Sequence, residues 1–432
     1  MPVKAMPLKA PPVVMYNWNG FYVGGYYADG IGEQQGSTRT FTPGSHSGET
    51  NVNERSLAAG LTAGYNWQFD PRWLVGLEGD LGWLGLDRTN TEFNDNTLVG
   101  LKTDWYATLR ARFGYVTGPS LLYVTGGAAF VHVRDEFGGD LSTQGSTLAS
   151  ATRASWTAGA GIETMVSRNW SAKTEYLFID GGSAVNFIAN PRGSIGVPAS
   201  FDQSFHVIKS GLNYRFGGPN DESFFAFLTA APMPSNHDWD GFYIGLNIGE
   251  GISNVNALQT GGFPGQTQIN GTGIAGGGQV GYNLIFGRRW FAGLEADFGT
   301  LRIHAMMNDW FDEEAQFTAN TSWYGTARAR FGTTTGPALL YFTGGAAWVY
   351  SSDGFTPIPS APTAALNART GFGYTIGGGT EVAINERWSA KVESLFIDTG
   401  HSIHQISPPG AFGADIKDRF TVVRAGLNLK LW

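Results

Sequence analysis

The feature that most limits how this chain can fold is that it is written twice. The segment Thr103–Val133, TDWYATLRARFGYVTGPSLLYVTGGAAFVHV, is identical at 21 of 31 positions to Thr321–Ser351, 218 residues further on. The relation recurs along the length: WNGFYVGG from Trp18 returns as WDGFYIGL from Trp239, and GYNWQFDPRWLVGLEGD from Gly64 as GYNLIFGRRWFAGLEAD from Gly281. NWSAKTEYLFIDGG from Asn169 returns as RWSAKVESLFIDTG from Arg387, and FHVIKSGLNYRF from Phe205 as FTVVRAGLNLKLW from Phe420. The 432 residues are therefore a tandem duplication of a unit of about 200 residues. The predicted segments are a Pro-rich stretch 1–17, a first unit 18–216, a joint 217–238 and a second unit 239–432.

Within a unit the hydrophobic period is two. Trp73, Val75, Leu77, Leu81 and Trp83 lie on one side, and Leu74, Gly76, Glu78, Asp80 and Gly82 on the other. Trp105, Ala107, Leu109, Ala111, Phe113 and Tyr115 alternate in the same way with Tyr106, Thr108, Arg110, Arg112 and Gly114. Period two is the mark of a strand whose faces meet different surroundings. Eight such segments are predicted in the first unit, at about 20–32, 56–69, 72–86, 101–116, 120–134, 153–166, 169–180 and 205–216.

The connections alternate in length. Tight turns fall at Asp70-Pro71-Arg72, Gly118-Pro119 and Ser167-Arg168, with counterparts at Gly287-Arg288-Arg289, Gly336-Pro337 and Asn385-Glu386. Long polar loops are expected at 33–55, 87–100, 135–152 and 181–204. A meander with short turns at one end and long loops at the other predicts an all-β, antiparallel up-and-down transmembrane β-barrel of the outer-membrane type. Two tandem eight-stranded barrels are expected; one merged sixteen-stranded barrel is the alternative, and a soluble barrel or sandwich a third. The joint would lie in the periplasm.

A cation at the midplane of a barrel's lipid face costs about 2–4 kcal/mol, so the apolar face must point outward. Trp67, Trp73, Trp83, Trp105, Trp156 and Trp170 then form girdles at the two interfaces. The inward face holds Glu78, Asp80, Glu163 and Glu175 against Arg110, Arg112, Lys173 and Lys209. The second unit repeats the set as Glu295, Asp297, Glu381 and Glu393 against Arg328, Arg330, Lys391 and Arg424. Four acids facing four bases can pair with themselves. Gly60, Gly64, Gly114, Gly159, Gly161 and Gly211 are expected to make room for these long side chains.

Other classes fare worse. The chain has no cysteine, which removes disulfides, thiolate metal sites and cysteine nucleophiles. A net charge of -8 argues against a nucleic-acid surface, and the paired arginines of RAR point inward rather than onto a basic patch. Glu78 with Asp80 has the spacing of paired catalytic carboxylates, but the cations beside them favour an interior ion network. TGGAA lacks the strand-to-helix setting of a phosphate loop. His401 and His404 are close enough to suggest a metal, but the first unit has no counterpart; His132, which could serve as a base at the rim, is replaced by Tyr350. No enzyme, cofactor or metal site is expected.

The opening APPVVMYNWNGFYVGG, the central RARFGYVTGPSLLYVTGGAAF, the strand WSAKTEYLFID and the closing GLNYRF together resemble the outer-membrane immunogenic protein (surface antigen) family of alphaproteobacteria. These are porin-family eight-stranded barrels related to OmpA-type and opacity-type barrels. The resemblance implies a Gram-negative outer-membrane location and insertion by the barrel-assembly machinery through a closing-strand signal. That signal maps onto Gly211, Tyr214 and Phe216 in the first unit, and Gly426, Leu429, Leu431 and Trp432 in the second. It further implies a mature form, since such proteins begin with a similar Pro-Val-Lys-Ala-Pro stretch. The expected function is a non-enzymatic, surface-exposed barrel plugged by its paired charges, with a small-solute channel as the alternative. The expected partners are outer-membrane lipid and lipopolysaccharide, the assembly machinery, and a host or surface ligand of the loops.

Overall fold

The computed structural model describes residues 17–38, 49–91, 98–138, 147–188, 197–216, 235, 237–260, 266–308, 315–357, 365–405 and 413–431. Sixteen strands follow one another with no helix between them among these residues. The first eight are β1 (Gly20–Thr38), β2 (Glu49–Asp70), β3 (Trp73–Thr91), β4 (Leu98–Thr117), β5 (Ser120–Gly138), β6 (Thr147–Met165), β7 (Trp170–Ile188) and β8 (Val197–Arg215). The second eight are β9 (Gly241–Thr260), β10 (Gln266–Phe286), β11 (Trp290–Asn308), β12 (Ala315–Thr334), β13 (Ala338–Pro357), β14 (Ala365–Ala383), β15 (Trp388–Gln405) and β16 (Gly413–Lys430).

Within each unit every strand pairs antiparallel with the next, and each unit closes on itself. β1 meets β8 from Tyr22↔Arg215 to Thr38↔Ala199, and β9 meets β16 from Lys430↔Tyr243 to Gly413↔Thr260. The architecture is two closed eight-stranded barrels. What remains of the sixteen-stranded alternative is a seam at the outer rim, where Glu49 of β2 pairs with Asn308 of β11 and Thr91 of β3 with Gln266 of β10.

The strands begin where tight turns end. Asp70 Oδ1 accepts a hydrogen bond from the Arg72 amide, and Asn385 Oδ1 accepts from the Arg387 and Trp388 amides, the local bonds that make these residues turn formers. Gly118 (φ 74°) and Gly336 (φ 98°) take a conformation that a side chain would strain. At the other end the strands run well past the expected limits: β1 continues to Thr38 rather than Gly32, and β7 to Ile188 rather than Asp180. The polar run 33–38 hid the continuation of β1, and in β7 the Gly181-Gly182 pair, where the register shifts and Gly182 takes φ 70°, breaks the alternation that marks a strand.

Outward residues of the lower wall are exposed and apolar, with Leu77 and Leu109 each 62% exposed. Of the six girdle tryptophans, Trp67, Trp73, Trp83, Trp105 and Trp156 are exposed, whereas Trp170 is half-buried, packed edge-on against Tyr214. Inside, each barrel is filled in layers. Trp18 with Leu74, Leu121 and Tyr123 occupies the turn end of the first, and Trp239 with Phe291, Leu339 and Tyr341 that of the second. Above the charged layer the interior becomes apolar, with Leu84, Tyr106, Val131, Leu177 and Phe205 in one barrel and Leu301, Tyr324, Val349, Leu395 and Phe420 in the other.

Candidate functional site: the charged barrel interior

The charged layer follows from register. Neighbouring strands place acid opposite base: Glu78↔Arg110, Glu163↔Lys173 and Glu175↔Lys209 in the first barrel, Glu295↔Arg328, Glu381↔Lys391 and Glu393↔Arg424 in the second. Directly opposed residues of one face are the closest neighbours a sheet offers. Closure then brings distant strands together across the lumen, so that the pairs fuse into one network.

In the first barrel Arg110 reaches three acids, with Nη2 2.6 Å from Glu78 and 2.5 Å from Asp80, and Nη1 3.0 Å from Glu175. Arg112 spans Glu78 (3.1 Å) and Glu163 (2.8 Å). Lys173 Nζ lies 2.8 Å from both oxygens of Glu78, and Lys209 Nζ bridges Asp80 (2.7 Å) and Glu175 (2.6 Å). Neutral donors fill other lone pairs: Tyr22 donates to Glu78, Tyr123 to Glu175, and Ser171 and Asn213 to Glu163. All eight charged side chains are buried.

The second barrel repeats the plan. Lys391 holds both oxygens of Glu295 at 2.9 and 3.0 Å, Arg330 takes Glu381 at 2.7 Å, and Arg424 takes Asp297 at 2.9 Å and Glu393 at 2.7 Å. Arg328 contacts Glu295, Asp297 and Glu393. Arg112 lies over the Tyr123 ring and Arg330 over the Tyr341 ring, both at 4.0 Å. A buried charge costs several kcal/mol in lost hydration, and this density of partners is what can offset it.

Of the six glycines expected to accommodate the charged chains, three accommodate tyrosine rings, while Gly114 faces the Leu121 side chain and Gly159 and Gly211 face backbone carbonyls of the neighbouring strands. A side chain at Gly64 would strike the Tyr22 hydroxyl, at Gly60 that of Tyr26, and at Gly161 that of Tyr123. The tyrosines, along with Trp18 and Trp239, were not singled out by the sequence reading. Trp18 is fully buried with Nε1 donating to Gly118 O at 3.3 Å, beneath the Arg215 guanidinium; Trp239 donates to Gly336 O at 2.7 Å. Their signal was available in the repeated W-x-G-F-Y, which keeps the tryptophan outside the alternating run.

Glu78, Asp80 and Glu175 bring oxygens within 4.8 Å of one another, a spacing that could hold a cation. Arg110, Lys173 and Lys209 already occupy that space, and the donor set fits side-chain cations rather than a metal. His401 turns to Asp415 at 3.2 Å; the side chain of His404 lies outside the described residues. His132 stacks on Trp105 and lies 3.2 Å from Thr152 Oγ1 and 3.4 Å from Ser150 Oγ. Asp104 approaches Nε2, the nitrogen that Ser150 contacts and the one opposite Thr152, only to 3.8 Å and is engaged by Arg134, so among the described residues no acid is hydrogen-bonded to the ring as a relay requires.

Among the closing-strand residues, a side chain at Gly211 would meet the Gly25 carbonyl of β1. Tyr214 packs edge-on to Phe216, whose amide bonds to Phe21 O at 2.9 Å. Gly426 is buried, Leu429 half-buried, and the Leu431 amide bonds to Phe242 O at 2.9 Å; Trp432 lies outside the described residues.

A family model described as "Outer membrane protein beta-barrel domain" matches the chain twice, over residues 5–216 and 223–430. The 31 kDa outer-membrane immunogenic protein of Brucella melitensis is 34% identical over 221 residues, 48% of this chain and 87% of that protein. The 22 kDa outer membrane protein of Rhizobium leguminosarum bv. viciae is 30% identical over 173 residues, 40% of this chain and 68% of that protein. The crystal structure of Neisserial surface protein A aligns with 46% of this chain and 97% of its own, at 12% identity and a TM-score of 0.26.

Proposed function

Because this chain belongs, in both halves, to the outer membrane protein β-barrel domain family and lies in a bacterial outer membrane, we propose that it is a non-enzymatic pair of sealed barrels displaying loops at the cell surface. Eight strands enclose a space just wide enough for side chains. The observation that carries the reading is the density of ion pairs in the charged layer: Arg110 of β4 alone bridges acids of β3 and β7 across the lumen of the first barrel. The tryptophan layer below and the apolar layer above add two further barriers. Among the described residues, two cavities that reach the second interior, one beside Asp353 and Asp418 and one beside Trp239 and Glu381, are about 10 Å³ each, near the size of one water.

In this reading the charges are a plug and a structural core, the outer wall meets lipid and lipopolysaccharide, and the loops make whatever outside contacts the protein has. The closing-strand residues serve recognition by the assembly machinery. The test is permeation of small sugars into liposomes carrying the folded full-length chain. Swelling no faster than in empty liposomes supports the reading; swelling that declines with sugar size, as through a pore, overturns it.

A further inference from the structure

Several outward-facing residues are buried although the wall around them is exposed. Ile31 on β1 and Ile252 on β9 are each 3% exposed, Ile208 on β8 is 7% and Val423 on β16 is 5%, and the four form one cluster between the barrels. By the repeat, Ile31 corresponds to Ile252 and Ile208 to Val423. The same wall of each unit therefore faces its copy across a pseudo-two-fold axis. The rim seam obeys the same axis: Glu49 corresponds to Gln266 and Thr91 to Asn308, so the pairs Glu49↔Asn308 and Gln266↔Thr91 are mates.

The residues that break this symmetry do so in matched pairs. Thr174 Oγ1 on β7 lies 2.8 Å from Thr380 Oγ1 on β14. The symmetry mate of that contact is Val392 with Ile162, which pack together in an apolar cluster. Polar thus meets polar and apolar meets apolar. Two copies of the first unit would set Thr174 against Ile162, and two of the second would set Val392 against Thr380. Higher on the wall, Glu250 of the second unit accepts from Tyr176 at 2.5 Å and lies 3.1 Å from His206, both of the first unit. The second unit has Ser394 and Thr421 at those places. At Asp29, the counterpart of Glu250, the balancing cation is Arg55 of the same unit, at 2.7 Å, seated over Phe396 of the second.

We propose that each barrel is the specific partner of the other: the chain is a fused pseudo-dimer whose facing walls match when first unit meets second. Polar groups on a wall otherwise turned to hydrocarbon are costly unless paired, and here the pairing partner is supplied by the same chain.

The cysteine-free sequence allows a direct test. Full-length protein carrying Thr174→Cys with Thr380→Cys, and a protease site inserted within 217–234, is folded into membranes, oxidised and cleaved. The expected product migrates at the mass of the intact chain and separates into halves on reduction. The control Thr174→Cys with Leu109→Cys, which places the second thiol on the open lipid face, should yield separate halves. Separate halves from the test pair, or a product of twice the chain mass, would overturn the proposal. Ile31→Cys with Ile252→Cys repeats the reading at the axis should the first pair disturb folding. Adding Thr380→Ile with Val392→Thr to that second pair makes both contacts mismatched and should slow disulfide formation several-fold; an unchanged rate overturns the specificity of the match.

Discussion

Lys173 Nζ lies 2.8 Å from both carboxylate oxygens of Glu78, and 218 residues on Lys391 holds Glu295 in the same way at 2.9 and 3.0 Å. The acid comes from the third strand of its unit and the base from the seventh, so the contact exists only once the barrel has closed. It reports interior packing rather than local strand pairing.

Removing one member of such a buried pair leaves a charge without its partner, at a cost of about 3–5 kcal/mol. Lys173→Met should therefore lower the melting temperature of the first barrel in detergent while the second barrel keeps its own transition. A melting curve unchanged by the substitution would mean that Glu78 is solvated.

The two networks differ at one cation, and the difference predicts a coupled pair of substitutions. Lys209 sits 5.0 Å over the Tyr26 ring, whereas its counterpart Arg424 has Asn247 in place of that tyrosine and donates to Tyr324 at 2.8 Å. Lys209→Arg alone should overpack the first barrel and cost about 1–3 kcal/mol. Adding Tyr26→Asn should recover much of the loss. Additive melting shifts in the double-mutant cycle would contradict this account.

Trp18 fills the turn end of the first barrel and Trp67 faces outward at 61% exposure. Truncating a fully buried tryptophan costs about 3–5 kcal/mol. Thermal unfolding of Trp18→Ala should show that loss, and Trp67→Ala should show far less. Equal effects would place Trp18 outside the interior.

His237 precedes the second barrel, donating through Nδ1 to Asn385 O at 2.7 Å and packing on Trp239. Burial pushes its pKa below the usual histidine range, partly offset by that bond to the carbonyl. A depressed folded value means that the unfolded chain binds the proton more tightly, so the stability tied to this contact is present above pH about 6.5 and falls as the pH drops below it. Melting of the second barrel between pH 8 and pH 5 should show this fall, and His237→Asn should flatten it. The same slope in the variant would assign it to another group.

Much of the fold was legible because the repeat and the period of two act on every residue. The inward assignment of Glu78, Arg110 and their counterparts needed only parity and the cost of a charge in lipid. The outer ends of the strands were hidden, since β1 beyond Gly32 is polar and the bulge between Asp180 and Gly182 breaks the alternation of β7. The roles of Trp18 and Tyr22 were hidden for another reason: a side chain that crosses a lumen acts on residues 50 to 100 positions away, as Trp18 does on Gly118 and Tyr22 on Glu78. The wall at Ile31 and Thr174 reads as ordinary lipid face in one dimension, and only the meeting of two barrels makes it an interface.

The most direct test of the sealed interior is single-channel recording of the folded full-length chain in a planar bilayer. The account predicts a silent membrane, or brief flickers without steady steps, because the ion network and the layers on either side leave no continuous water path. Large, steady conductance steps from the unaltered protein would contradict it and make each barrel, or the pair, a pore.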